Sequence, residues 1–173
     1  MHSYGGTVGT EAVHATLGKC AREAEGKAGG VLRLVFLCAF VVQEGASLLS
    51  LSKGEAPPYL IINEDGSCVV QETACAQLFY NDVPPAEQQH WISKLKPHPV
   101  VSMNNPVTYL AYKHHPASYI FCENDQAVPV EVQKMMVNGS GVEMRTETLT
   151  SGHSPFLSMP EKLLEAVQKT AGI

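Results

Sequence analysis

Residues 31–38 read Val-Leu-Arg-Leu-Val-Phe-Leu-Cys, a near-continuous apolar run directly behind Gly29-Gly30. A strand with one wet face alternates apolar and polar residues, whereas an unbroken run marks a strand covered on both faces, as in the parallel sheets of α/β proteins. Arg33 interrupts the run, which is too short to cross a bilayer. Residues 118–122, Ser-Tyr-Ile-Phe-Cys, form a second strand of the same kind, and residues 142–149 alternate in the manner of an edge strand. Helical patterns lie around them. Residues 5–17 carry Val8, Ala12, Val13, Ala15 and Leu17, suiting a largely buried helix, and residues 19–27 are charged and solvated. Residues 130–137 present Val132, Met135 and Met136 as an apolar face, and residues 160–171 form an amphipathic helix opened by a proline. Strands alternating with helices imply a parallel α/β sheet, and residues 1–173 are expected to form a single domain.

Residues 46–100 have a different texture. Tyr59 to Asn63 and Ser67 to Val70 flank Glu64-Asp65-Gly66 as a small hairpin. Residues 72–80 read as a helix, Pro84-Pro85 breaks it, and residues 86–95 resume one containing Trp91, with a further short helix expected at 107–113. An insertion of this kind between sheet strands is expected to form a cap over the site rather than a second core.

Charge narrows the partners. With a net charge of −5, only 12 Lys and Arg, and no basic run, the chain lacks the clustered cations that displace phosphate counterions, so no nucleic acid is expected. A small or neutral partner fits better. Cys20, Cys38, Cys68, Cys75 and Cys122 include no C-x-x-C pair, so neither a disulfide framework nor a zinc knuckle is signalled. Free thiols and the lack of a cationic leader or targeting tail make the cytoplasm the expected location, with no membrane partner. His2, His90, His98, His114 and His115 have no glutamate or cysteine at metal spacing, so no metal and no cofactor are expected.

Three polar residues fall at the ends of successive elements: Ser3, Asp125 and His153. His2-Ser3-Tyr4-Gly5-Gly6 is most of a G-x-S-x-G nucleophile elbow, with Met1 where the first glycine would stand. Asp125 follows the strand at 118–122, where open parallel sheets place their chemistry, and His153 lies in the loop before the last helix. Serine attacks poorly at neutral pH because its hydroxyl must lose a proton. A nearby imidazole can take that proton, and a carboxylate fixes the tautomer and stabilises the imidazolium. Glu123 is the nearest competitor to Asp125, and Asp82 a more distant one.

Taken together, Ser3-Tyr4-Gly5-Gly6, the run from Leu34 to Phe40, the segment from Phe79 to Pro84, the turn from Cys122 to Pro129, and the loop from Ser151 to Phe156 resemble the C-terminal two thirds of an α/β-hydrolase. The branch resembled is that of small esterases related to plant methylesterases and hydroxynitrile lyases, in its fungal and bacterial members. The resemblance implies a partial α/β-hydrolase fold: the C-terminal part of the parallel sheet with a helical cap, the N-terminal strands missing. It implies Ser3 as nucleophile, Asp125 as acid, His153 as base, and the Tyr4 N–H as an oxyanion donor, acting without cofactor on a small ester or thioester, with a natural-product pathway as the setting. Hydroxynitrile lyases tend to carry lysine just after the catalytic histidine, where this chain has Ser154, and that favours the hydrolases. Strands absent ahead of Ser3 would leave the 31–38 run with an unpaired edge, open to a second copy of the chain. They also motivate the alternative of an inactive, partner-dependent binding module.

Overall fold

In the computed structural model, which describes residues 1–52 and 54–172, the apolar run becomes a strand only over its second half. The chain opens with α1 (Gly5–Ala12) and α2 (Lys19–Ala24) and reaches β1 at Leu34–Leu37. Then come β2 (Leu60–Ile62), β3 (Ser67–Val70), α3 (Glu72–Tyr80), α4 (Pro85–Ile92), β4 (His98–Pro99) and α5 (Val100–Asn104). The last third supplies β5 (Ala117–Cys122), α6 (Val130–Gly139), β6 (Met144–Leu149), α7 (Pro155–Ser158) and α8 (Pro160–Ala171).

Strands β1, β5 and β6 form a parallel sheet in the order β1-β5-β6, with Phe36 beside Tyr119 and Tyr119 beside Thr146. Their carboxyl ends therefore point the same way. One face packs Leu34, Phe36, Tyr119, Tyr112 and Met136 into the main core, and the other packs Ile120 and Leu149 against Ala166 of α8. Helix α8 has Pro160 at its start and Glu161 in its first turn. It stops where Gly172 adopts φ 78° and returns its N–H to the Gln168 carbonyl at 2.9 Å. A separate antiparallel sheet, in the order β2-β3-β4, belongs to the stretch between β1 and β5 together with α3, α4 and α5. Among the described residues no helix is long and apolar enough to cross a membrane.

The free edge of β1 differs from the expectation. Residues 1–3 run beside its upper end: the Met1 amino group donates to the Val35 carbonyl at 2.7 Å, Leu37 N–H to Met1 O at 2.8 Å, and Ser3 N–H to Leu37 O at 3.3 Å. Below it, Gly18 bridges Val31, with Lys19 N–H on Val31 O at 2.9 Å. Short pieces of chain thus take up edge groups that the sequence pattern leaves open.

Two helices are also shorter than their patterns. The helix at 5–17 stops at Ala12, and it buries Gly6, Thr7 and Thr10 while Val8 is 52% exposed. The backbone approach is what sets this stripe, because a Cβ on Gly6 would run into the Phe40 carbonyl. Only the end of the 107–113 stretch turns, at Ala111–Lys113, because Val107 is held extended by bonds of 2.8 Å to the backbone at Gly45 and Ala46.

Phe36 has no exposed surface and sits where the sheet meets Tyr112 and Tyr119. Replacing it with alanine should destabilise the fold by about 3–5 kcal/mol, read as a lowered denaturant midpoint at unchanged slope.

Candidate active site

The elbow is built from local backbone. Ser3 has φ 51°, a left-handed conformation that costs a non-glycine residue about 1–3 kcal/mol and is retained where the surroundings hold it in place. Here the Ser3 carbonyl accepts from Gly6 N–H at 3.0 Å and Phe40 N–H at 3.1 Å, pinning the turn between α1 and the exit of β1. The Ser3 hydroxyl and the Tyr4 amide make no hydrogen bond among the described residues, so both remain available to a ligand. The Tyr4 amide stands at the start of α1, where helix N–H groups are unsatisfied and favour negative charge.

Asp125 and His153 lie beyond the carboxyl ends of β5 and β6 and meet there. His153 Nδ1 and Asp125 Oδ2 are 2.7 Å apart, and both residues are buried, at 2% and 3% exposure. The other carboxylate oxygen accepts the N–H groups of Ala127 and Val128, each at 2.8 Å. With Asp125 holding Nδ1, the imidazole presents Nε2 to other groups. Of the sequence competitors, Glu123 is exposed and accepts from the Thr150 hydroxyl at 2.9 Å.

Several residues that position this pair carry no signal in a motif search. Gln133 on α6 is fully buried: its Nε2 donates to Cys122 O at 3.1 Å and Val128 O at 2.7 Å and reaches Asp125 Oδ2 at 3.5 Å, while its Oε1 accepts from Cys122 N–H at 3.1 Å. The inward face of α6 carries Gln133, Met136 and Val137, with Val132 partly buried against the same core; of the expected Val132, Met135 and Met136 face only Met135 departs, at 60% exposed. The available clue was a glutamine at i, i+3, i+4 spacing from two apolar residues. Asp82 is no rival acid but a brace, its Oδ2 accepting from Gly152 N–H at 2.6 Å and the Ser158 hydroxyl at 2.8 Å. Its neighbour Asn81 donates to Asn124 O at 2.9 Å. The junction between α3 and α4 thereby holds both the acid loop and the histidine loop.

The His153 carbonyl is held as well, by His2 Nε2 at 2.8 Å and the Cys38 thiol at 3.5 Å. Ring nitrogens of His2 and His153 and the Cys38 sulfur lie within 4.8 Å of one another, an approach hidden by their separation in sequence. The cluster reads as a clamp rather than a metal centre. Both flanking donors are spent on the carbonyl, and hydrogen bonding to Cys122 and burial push the Cys38 thiol well above the usual range, so it stays protonated. Burial first, then the nearby His153, lower His2 to about 4, against the opposing pull of its bond to the His153 carbonyl and of Asp125.

Two cavities open on the elbow. A larger one of about 900 Å³ is bordered by Ser3, Tyr4, Phe40, Cys75, Phe79 and Val128. A smaller one of about 510 Å³ is bordered by His2, Ser3, Phe79, Trp91, His153 and Leu157, so Ser3 and His153 face one space.

With this geometry in place, three comparisons bear on ancestry. The sequence model of the alpha/beta hydrolase family matches residues 1–166. The chain is 30% identical over 173 residues to the alpha/beta hydrolase nvfD of Aspergillus novofumigatus (strain IBT 16806), covering 99% of this chain and 68% of that protein. Among solved structures it is similar to a pyrethroid hydrolase from Sphingobium faniae JZ-2, with TM-score 0.72, 21% identity and coverage of 99% and 68%. It is also similar to a methylesterase protein from Arabidopsis, with TM-score 0.66, 20% identity and coverage of 99% and 67%.

Two outcomes follow from the site. Gln133→Leu leaves the Cys122 N–H and the Val128 carbonyl without their partner, while the Cys122 carbonyl keeps the Asp125 N–H at 3.4 Å, so stability should fall by about 2–4 kcal/mol in denaturant titration, at ~1–3 kcal/mol per orphaned group. For His2 the folded pKa lies below the ordinary 6.5, at about 4. Above 6.5 neither state binds the proton; as pH falls from 6.5 toward 4 the unfolded chain takes it up first, so stability declines by ~1.4 kcal/mol per pH unit. His2→Gln, which can still donate to the carbonyl, should flatten that decline when denaturant midpoints are compared at neutral and acid pH.

Proposed function

The chain belongs to the alpha/beta hydrolase family, and from that premise we propose that it is a serine hydrolase of a small ester or thioester, with Ser3 as nucleophile, His153 as general base and Asp125 as the acid that orients it. One observation carries the reading: a buried imidazole held at 2.7 Å by a carboxylate borders the same cavity as a serine in left-handed conformation at the head of a helix. The similarity to solved structures of a pyrethroid hydrolase and a methylesterase accords with ester chemistry.

The steps are those the groups permit. Ser3 Oγ attacks the ester carbonyl carbon and gives its proton to His153 Nε2, while Asp125 holds Nδ1–H and stabilises the imidazolium. The carbonyl oxygen takes up negative charge against the Tyr4 N–H, where the dipole of α1 assists. Collapse breaks the bond to the leaving oxygen or sulfur, and His153 returns the proton to it. Water then attacks the acyl-serine by the same route in reverse, releasing the acid and restoring the hydroxyl.

On p-nitrophenyl acetate, Ser3→Ala should lower kcat by at least ~10³-fold with the fold intact by circular dichroism, and Asp125→Asn by ~10⁴-fold through loss of the correct tautomer. Unchanged turnover in Ser3→Ala would remove the serine from the mechanism.

A further inference from the structure

The two cavities meet at Ser3, and the residues bordering each assign them to opposite sides of the scissile bond. Phe79 and Leu95 border both and stand between them. His153 borders only the smaller cavity, whereas Tyr4 borders only the larger. The assignment rests on the serine-hydrolase reading above. His153 must hand its proton to the leaving oxygen, so the alcohol portion has to lie on the imidazole side. The acyl portion stays bonded to Ser3 after the alcohol has gone, and the remaining space at Ser3 is the larger cavity.

We infer that the 900 Å³ cavity is the acyl chamber and the 510 Å³ cavity the alcohol chamber, so that the preferred substrate is the ester of a bulky, uncharged, lipophilic acid with a smaller apolar alcohol. The size of the larger chamber falls within the ~300–1,000 Å³ of sites that enclose drug-sized ligands. Its walls are apolar: Leu48, Leu60, Val70, Cys75 and Ile92 join Phe40, and the charged residues that border it, Glu72 and Lys96, are themselves exposed. A charged or strongly hydrated acid would lose water against these apolar walls, because Ser52, Gln89, Ser93 and Lys96, which also border the cavity, are exposed. The smaller chamber is bordered by the aromatic side chains of Phe79, Tyr80 and Trp91, which suit a compact aromatic or aliphatic alcohol.

The test uses p-nitrophenyl esters that differ only in the acid. From acetate through butyrate to octanoate, kcat/KM should climb by about fourfold per methylene, reaching ~10³-fold or more at octanoate, as expected for burying each CH₂ in an apolar chamber. Leu60→Trp, which fills the larger chamber, should lower the octanoate-to-acetate ratio by about tenfold. Leu157→Trp, in the smaller one, should lower turnover of every p-nitrophenyl ester and leave that ratio as it was. A flat or falling series in the unsubstituted protein overturns the assignment whatever the variants do, and so does a ratio that responds to Leu157→Trp instead of Leu60→Trp. These results are distinct from failure of the underlying reading, which would appear as acetate turnover that survives Ser3→Ala or as no turnover of any ester.

Discussion

A carboxylate taken out of water must be given hydrogen bonds from several directions, and the layout of the site answers that demand at Asp125. Burying such a group without partners costs more than most of the folding stability of a small domain. The turn after β5 supplies two N–H donors from Ala127 and Val128, α6 supplies the Gln133 amide, and the loop after β6 supplies the His153 imidazole. The four donors come from three different elements, so the carboxylate ties together the ends of two strands and the start of a helix. The His153 ring is oriented because it is one of the few groups able to complete that shell. Functional geometry and the satisfaction of a buried charge are here one and the same constraint.

The elbow adds a second constraint of opposite character. Ser3 is strained in itself, and what holds it is the packing of α1 onto the exit of β1, where the lack of a side chain at Gly6 lets the helix approach the Phe40 carbonyl. The strained residue and the buried pair are then linked through His2, which precedes the serine and donates to the His153 carbonyl. A neutral His2 makes that bond without placing a positive charge beside the His153 ring, and its pKa, lowered to about 4, keeps it neutral near pH 7.

Much of this was legible in the chain, and the limits have physical causes. Helices at 72–80 and 160–171 stood out because propensity, a charged first turn and the breakers around them agreed, and the structure places them at Glu72–Tyr80 and Pro160–Ala171. The apolar run showed that a doubly covered strand exists but overstated its length, since Val31 is spent on bridging Gly18 rather than on the sheet. Asp125 and His153 could be singled out by their places after strands, yet nothing in their spacing places them within hydrogen-bonding distance; the resemblance to a family carried that expectation. Gln133 escaped, and Asp82 was legible only as a rival acid, because a residue that braces a loop through its backbone leaves no motif. Only the contact with the end of β5 reveals Gln133 as a core residue.

The segment between β1 and β5 therefore does more than roof the cavities. Its α3–α4 junction grips the acid loop through Asn81 and the histidine loop through Asp82. Its α5 accepts the Tyr4 phenol on the Ser102 carbonyl at 2.8 Å, next to the amide that would meet a developing oxyanion. The side chains that bound the ligand space, Phe79 foremost, sit on the same helix that leads into this junction. A ligand that wedges α3 outward must strain the Asn81 and Asp82 bonds, while one that fits leaves the imidazole aligned. On the proposed serine-hydrolase reading, size selection and alignment of the base are coupled through a few hydrogen bonds, so substrates of the wrong shape should lose rate as well as affinity.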